Sequence, residues 1–326
     1  MKVLIINHAE VHQLLPMDEC MDVMAEAFKT LSRGAALNPL RHVLWLPDKA
    51  GVLGMMPAYL GDIKAIGAKV ISVFAGNQGT GYDSHQGMVL LFETEHGRPM
   101  AIIDASAITA IRTAAASGVA TRLLARRDAG DLAILGSGVQ ARMHLAAMLL
   151  VRPARRVRVW SRTGEHAHTF ARRESERHGL AIEPMATARE AVAGADIICT
   201  TTAAAEPVLR GEWLAPGTHI NAVGSSVPFM RELDTLAVVR SRLFADRRES
   251  TLNEAGEFLI PRQEGAISDD HIQGELGEIL LGHVHGRRSP EEITLFKSLG
   301  LAIEDVASAH HVYQKAVRQG LGTWVG

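Results

Sequence analysis

Apolar side chains recur at Met17, Met21, Met24, Phe28 and Leu31, the spacing of one face of a helix. Pro16 suits the first helical position, Asp18 and Glu19 complement the positive end of the helix dipole, and Gly34 is placed to end the helix. Short apolar runs follow in "HVLWL", "GVLGMM", "AIGAKVISVFA" and "GMVLLFETEHGRPMAIID". The last reads as a hairpin turning at His96 and Gly97. These patterns predict a helix with a mostly antiparallel sheet. "IRTAAASGVATRLLARR", from Ile111, predicts a helix whose small residues allow close backbone approach.

From Asp131 the pattern changes. "DLAILG" precedes a helix from about Val139, and "RRVRVW" precedes another from about Glu165. "LAIEP", a short helix near Ala188, "ADIICTTT" and "THINAVGS" come next. Strands alternating with helices predict parallel βαβ units and a doubly wound sheet. An amphipathic helix over roughly 303–318 closes the chain. The fold class is therefore α/β, with an α+β part ahead of the doubly wound one.

At 326 residues the chain has room for two domains. A net charge of −2 gives no reason to expect nucleic acid or an anionic membrane as a partner. His8, Glu10 and His12 interrupt the first apolar run before it reaches signal-peptide or membrane-spanning length, so a cytoplasmic location is expected. Cys20 and Cys199 read as buried thiols, and the histidines show no metal-ligand spacing. His85, in "DSHQG", reads as a loop histidine that can face a cleft.

"LGSGVQA" offers more specific chemistry. Gly136 permits a tight turn after a strand, Gly138 lets a pyrophosphate approach the backbone, and Ala141 packs helix on sheet. The alternative is a structural glycine turn that binds nothing. About 20 residues beyond such a turn an acidic residue usually accepts the ribose hydroxyls. Ser161, Arg162 and Thr163 stand there instead, and an arginine fork with two hydroxyls suits a 2′-phosphate. NADPH is thus the expected cofactor, with NADH weaker; a solvated surface arginine is the competing reading. Lys69 shares a strand face with Gly67 and Ile71, where an unpartnered ammonium is costly. Either it snorkels at a strand end, or it faces an anionic substrate. Arg112 poses the same choice from a helix, and Arg41 is a third, weaker candidate.

"GAKVIS", "HQGMVLLF", "ITAIRTAAAS", "LGSGVQARMH", "VWSRT", "INAVGSSVPFMRELD" and "FKSLGLAIED" follow one another along nearly the whole length. In this order they resemble the ornithine cyclodeaminase/μ-crystallin family. The resemblance implies a substrate-binding and dimerisation domain over 1–118 plus 305–326, and a Rossmann-type NAD(P)-binding domain over 119–304. It also implies a homodimer. Lys69, Arg112 and Arg41 would grip an α-carboxylate, with Lys69 and Arg112 catalytic. Thr113, Gly136, Gly138, Val139, Gln140, Ser161, Arg162, Thr163, Thr201, Val223, Gly224, Ser298 and Gly300 would meet the cofactor.

Two positions depart from the cyclodeaminases. Ser226 stands where they carry a catalytic aspartate, and Gly54 where they carry a glutamate. Ser226 resembles the family's ketimine reductases instead. The expected activity is reduction of a cyclic ketimine carboxylate, Δ1-pyrroline-2-carboxylate to L-proline or Δ1-piperideine-2-carboxylate to L-pipecolate. Lys69, or a water it orders, is the candidate proton donor, with Ser226 as a hydrogen-bonding partner for that water. The alternatives are an ornithine cyclodeaminase recycling NAD, an alanine dehydrogenase, and a non-catalytic protein that holds a small acid in the cleft.

Overall fold

The computed structural model describes residues 2–77 and 80–326. Two compact units are present, Met1–Arg112 with Leu301–Gly326, and Thr113–Gly300. The boundaries expected at 118/119 and 304/305 fall instead at 112/113 and 300/301. The first lies inside the helix Ala105–Leu124, which begins earlier than the small-residue run alone suggests.

The first unit is built on an eight-stranded sheet. Its order is Thr323–Val325, Val3–Ile6, Pro99–Asp104, His85–Glu93, Ala65–Val73, Val52–Leu60 and Ala36–Leu37, with His42–Trp45 also paired to Val52–Leu60. Val3–Ile6 runs parallel to Pro99–Asp104, and the other pairings are antiparallel. The expected hairpin is present, and Gly97 takes φ +72° in its turn. The stripe from Met17 forms the helix Met17–Ser32, but Pro16 sits one place outside it, with an extended ψ of 150°. A shorter helix, His8–Leu14, precedes it behind a capping box between Asn7 and Glu10. The final helix, Ala302–Gln319, does not close the chain. After Gly320 the backbone turns back, and Thr323–Val325 pairs antiparallel with Val3–Ile6.

Alternation along Ala65–Val73 sends Ala65, Gly67, Lys69 and Ile71 to the buried face. The final helix packs over that face. At Gly67 a Cβ would lie 3.2 Å from Val306 Cγ2 and 2.4 Å from the Leu90 carbonyl, so only glycine lets helix and strand come this close. The opposite face is exposed yet apolar, presenting Leu44, Met55, Ile66 and Met88.

The second unit holds an all-parallel eight-stranded sheet. Its order is Ile182–Pro184, Arg156–Trp160, Asp131–Leu135, Ile197–Thr200, His219–Ala222, Thr294–Lys297, Arg242–Ala245 and Ile272–Glu275. The chain winds outward from Asp131–Leu135 to Ile182–Pro184, then returns to the other side of its first strand at Ile197. That reversal makes a topological switch point between Asp131–Leu135 and Ile197–Thr200, where open α/β sheets take their ligands. Arg242–Ala245, Ile272–Glu275 and the short helices beside them were not foreseen. Four-residue strands such as "IQGE" carry too little apolar pattern to declare themselves. Among the described residues no helix is long and apolar enough to cross a membrane.

Candidate active site

In the first unit three segments distant in sequence bring their charges together. The Lys69 ammonium, supplied by the strand Ala65–Val73, lies 2.7 Å from Asp305 Oδ2 and 3.4 Å from Thr109 Oγ1. Arg112 donates from Nε to Asp305 Oδ1 at 2.9 Å and from Nη1 to Glu304 Oε2 at 3.0 Å. Glu304 uses its other oxygen to accept from the Leu301 backbone, which fixes the first turn of the final helix. All four charged groups are buried, Lys69 at 2 % exposure and Arg112 at 4 %. Neither cation snorkels; each is neutralised inside the protein by an acid that the sequence reading passed over. The available signal was the pair Glu304–Asp305 flanked by Ile303, Val306 and Ala307 in an apolar stretch.

The Arg112 and Arg41 charges are both close enough to disfavour protonation of Lys69. The bonds to Asp305 and Glu304 use two of the five N–H groups of Arg112. Burial lowers Lys69 from an ordinary 10.5 to about 8, with Asp305 opposing and Arg112 and Arg41 adding to the fall. A lysine so placed exchanges its proton near neutral pH. His85 stands at the exposed edge of this cluster, its imidazole bonded to Ser84 Oγ at 2.9 Å. The protein around it, then the Lys69 and Arg112 charges, hold that imidazole below its usual value.

Gly54 lies on the same sheet face as Lys69, because Gly54 pairs with Ile71 and Met56 with Lys69. A Cβ there would meet only Ile71, at ordinary contact distance, so the position has room beside it.

The second unit carries the glycine turn at the switch point. Gly136 has φ +124°, and a Cβ on it would fall 2.6 Å from Thr201 Oγ1. Gly138 is the N-terminal cap of the helix Val139–Val151, makes no side-chain cap bond, and has nothing within 4 Å of where a Cβ would stand. A glycine turn that leads straight into a helix N-terminus fits a pyrophosphate. Ser137 Oγ donates to Ser161 Oγ at 3.0 Å, joining the turn to the strand end that bears Ser161, Arg162 and Thr163; the last two are exposed.

Thr201 follows the strand Ile197–Thr200, and Val223, Gly224 and half-buried Ser226 follow His219–Ala222. Ser298 donates its N–H to the Ala222 carbonyl, and the Gly300 N–H bonds Asp246 Oδ2 at 2.8 Å. Gln140 and exposed Val139 lie in the first turn of the helix after the glycines, and buried Thr113 is the first residue of this unit. Cys20 and Cys199 are free and buried, and burial pushes each thiol up to about 12.

A family model for the ornithine cyclodeaminase/mu-crystallin family matches residues 1–320. The chain belongs to this family. Over 321 residues it is 38 % identical to a Delta(1)-pyrroline-2-carboxylate reductase of Bacillus cereus, covering 98 % of each chain. Among solved structures it is similar to the Delta(1)-pyrroline-2-carboxylate reductase of Thermococcus litoralis in complex with NADH and L-proline. That similarity has a TM-score of 0.96 and 41 % identity, and covers 98 % of this chain and 99 % of the other. It is also similar to an archaeal alanine dehydrogenase dimer with bound NAD, at TM-score 0.94 and 33 % identity, covering 100 % and 99 % of the two chains.

Within this family fold, the buried lysine has a thermodynamic signature. Because Lys69 has a lower pKa folded than unfolded, the unfolded chain holds the extra proton between about 8 and 10.5. Its contribution to stability therefore rises with pH through that window. Urea midpoints measured across it should rise in the wild type relative to Lys69→Met. Parallel curves for the two proteins would mean that Lys69 titrates as an ordinary lysine.

Proposed function

We propose that the protein reduces a cyclic ketimine carboxylate with a nicotinamide cofactor, taking Δ1-pyrroline-2-carboxylate to L-proline or its six-membered homologue to L-pipecolate. The observation that carries this reading is the buried pair of cations Lys69 and Arg112, with half-buried Arg41 near enough to act on Lys69. Full-length similarity to two reductases of that name supports the same substrate class. Arg112 and Arg41 hold the substrate carboxylate, and fixing that end orients the C=N bond. A reduced nicotinamide, when bound, supplies the hydride that adds to the imine carbon. Lys69 gives the proton to the ring nitrogen, directly or through a water, so the product is a secondary amine.

Ornithine is a poor fit. Its side-chain ammonium needs an acid to hold it and take its proton before it can close a ring. Ser226 and Gly54 supply none. Amino-acid dehydrogenation is the second reading, favoured by the likeness to the archaeal alanine dehydrogenase.

For the cofactor, exposed Arg162 between two hydroxyls favours NADPH over NADH, because its guanidinium matches a 2′-phosphate. Residues 139–140, 201, 223–224, 298 and 300 border the switch point on the same reading, with Thr113 beside them. The assembly we propose is a homodimer in which a second copy covers the apolar sheet face at Leu44, Met55, Ile66 and Met88. The dimeric relative supports that occupant.

NADPH oxidation should be steady with either cyclic imine carboxylate, and absent with pyruvate plus ammonia. Ornithine with NAD+ should release little ammonia; efficient release would sink the reductase reading. The rate of imine reduction should fall as pH rises through about 8, where Lys69 loses its proton, and a profile unaltered in Lys69→Met would remove Lys69 from that role.

Arg162→Ala should weaken NADPH by about 1.5–3 kcal/mol, the worth of a hydrogen bond to a charged group, and leave NADH nearly unchanged. Equal weakening of both cofactors would place the 2′-phosphate elsewhere.

Light scattering should give twice the chain mass for the wild type and a monomer for Met55→Glu/Met88→Glu. A monomeric wild type would leave the apolar face without the proposed partner.

A further inference from the structure

Beyond the switch point the second unit buries a carboxylate that no step above uses. Glu232 is fully enclosed and accepts four hydrogen bonds. Its Oε1 takes the Thr202 N–H at 2.6 Å and the Thr202 hydroxyl at 2.7 Å. Its Oε2 takes the Thr200 hydroxyl at 2.7 Å and the Gly224 N–H at 2.6 Å. One side chain thus ties together the loops that leave two adjacent parallel strands, Ile197–Thr200 and His219–Ala222. The fit is tight. A Cβ on Gly224 would lie 2.0 Å from the Thr202 carbonyl and 2.5 Å from Glu232 Oε1.

A second layer holds the first. Glu257 accepts the Glu232 N–H at 2.9 Å through Oε1 and pairs through Oε2 with buried Lys297 at 3.0 Å. Lys297 in turn donates to the Ser225 carbonyl at 2.5 Å, while Ser225 Oγ donates to the Met230 carbonyl at 2.7 Å. Two consecutive residues of this loop, Gly224 and Ser225, are therefore held by groups of the same unit. Burial and then the Glu257 charge push the Glu232 carboxyl above its ordinary value, and the Thr200 and Thr202 donors act against them. Four donors around one carboxyl fit the ionised form, which accepts without donating.

In a doubly wound sheet a dinucleotide lies across the strand ends with its pyrophosphate at the first glycine turn. The adenosine half extends toward the strand end that bears Ser161–Thr163. The other half is left with the ends of Ile197–Thr200 and His219–Ala222, the two loops that Glu232 ties. We infer that Glu232 is a positioning residue for the nicotinamide half of the cofactor. It acts by holding Thr201 and the 223–226 loop in one arrangement, and it does not touch the adenosine half. The inference rests on the reductase reading for the identity of the cofactor.

Isothermal titration with NADPH and with adenosine 2′,5′-bisphosphate, which lacks the nicotinamide half, separates the possibilities. Glu232→Gln turns an amide N–H2 toward donors and should break one of the two ties. It should weaken NADPH about tenfold or more, consistent with loss of a charged hydrogen bond, and leave the bisphosphate within about twofold. Thr202→Val removes the half-buried hydroxyl that donates to Glu232 and accepts from the Ala204 N–H, and keeps the Thr202 N–H bond. It should show the same pattern at smaller size, and it decides the matter if Glu232→Gln does not fold. Equal weakening of both ligands in a folded variant would make Glu232 a general structural residue and overturn the inference. So would unchanged NADPH binding. A wild type that binds neither ligand would instead overturn the functional reading, and the inference with it.

Discussion

Two cations can be buried side by side in the first unit because one carboxylate reaches both. Asp305 gives Oδ2 to Lys69 and Oδ1 to Arg112, and Glu304 takes a further N–H of the arginine. Each ion carries a large desolvation penalty, which only close and well-aligned partners offset. Removing one partner from such a set costs about 3–5 kcal/mol, because it strands a charge away from water. The network therefore fixes where the final helix must dock on the sheet, and Gly67 gives it the space to do so. The same burial brings the Lys69 pKa down toward neutral pH.

The second unit solves a related problem with the signs reversed. Two of its buried acids, Glu232 and Glu257, are met by backbone N–H groups, hydroxyls and Lys297. Such bonds hold loops, where those of the first unit join a helix to a sheet. In each unit buried acids hold other groups in place: Asp305 and Glu304 hold Lys69 and Arg112, and Glu232 holds the loops after two strands.

How much of this was legible in the sequence depended on the range of the interaction. Periodicity located Met17–Ser32, the hairpin around Gly97, and the alternation that puts Lys69 inward, since each of these is decided by near neighbours. The glycine turn was equally plain, because the positive φ at Gly136 demands a particular residue type. Glu304 and Asp305 do not stand out in the sequence, because adjacent acids at a helix start have a sufficient local explanation in the helix dipole. Their partners lie about 200 residues away in the chain. Glu232 escaped for a related reason: in "RELD" it looks like one more loop acid. Pattern along a chain shows which residues are unusual for their surroundings, and it does not show who answers them.

The first unit is assembled from both ends of the sequence, while the second, Thr113–Gly300, is continuous. During synthesis the ribosome therefore completes the parallel sheet before it has made the helix that carries Asp305. Until then the strand and helix bearing Lys69 and Arg112 lack the acids that make their burial tolerable, and those cations must stay hydrated. The sheet around Lys69 cannot close over its charges while the chain is still growing. Synthesis order thus makes the first unit in sequence the last to reach its final form.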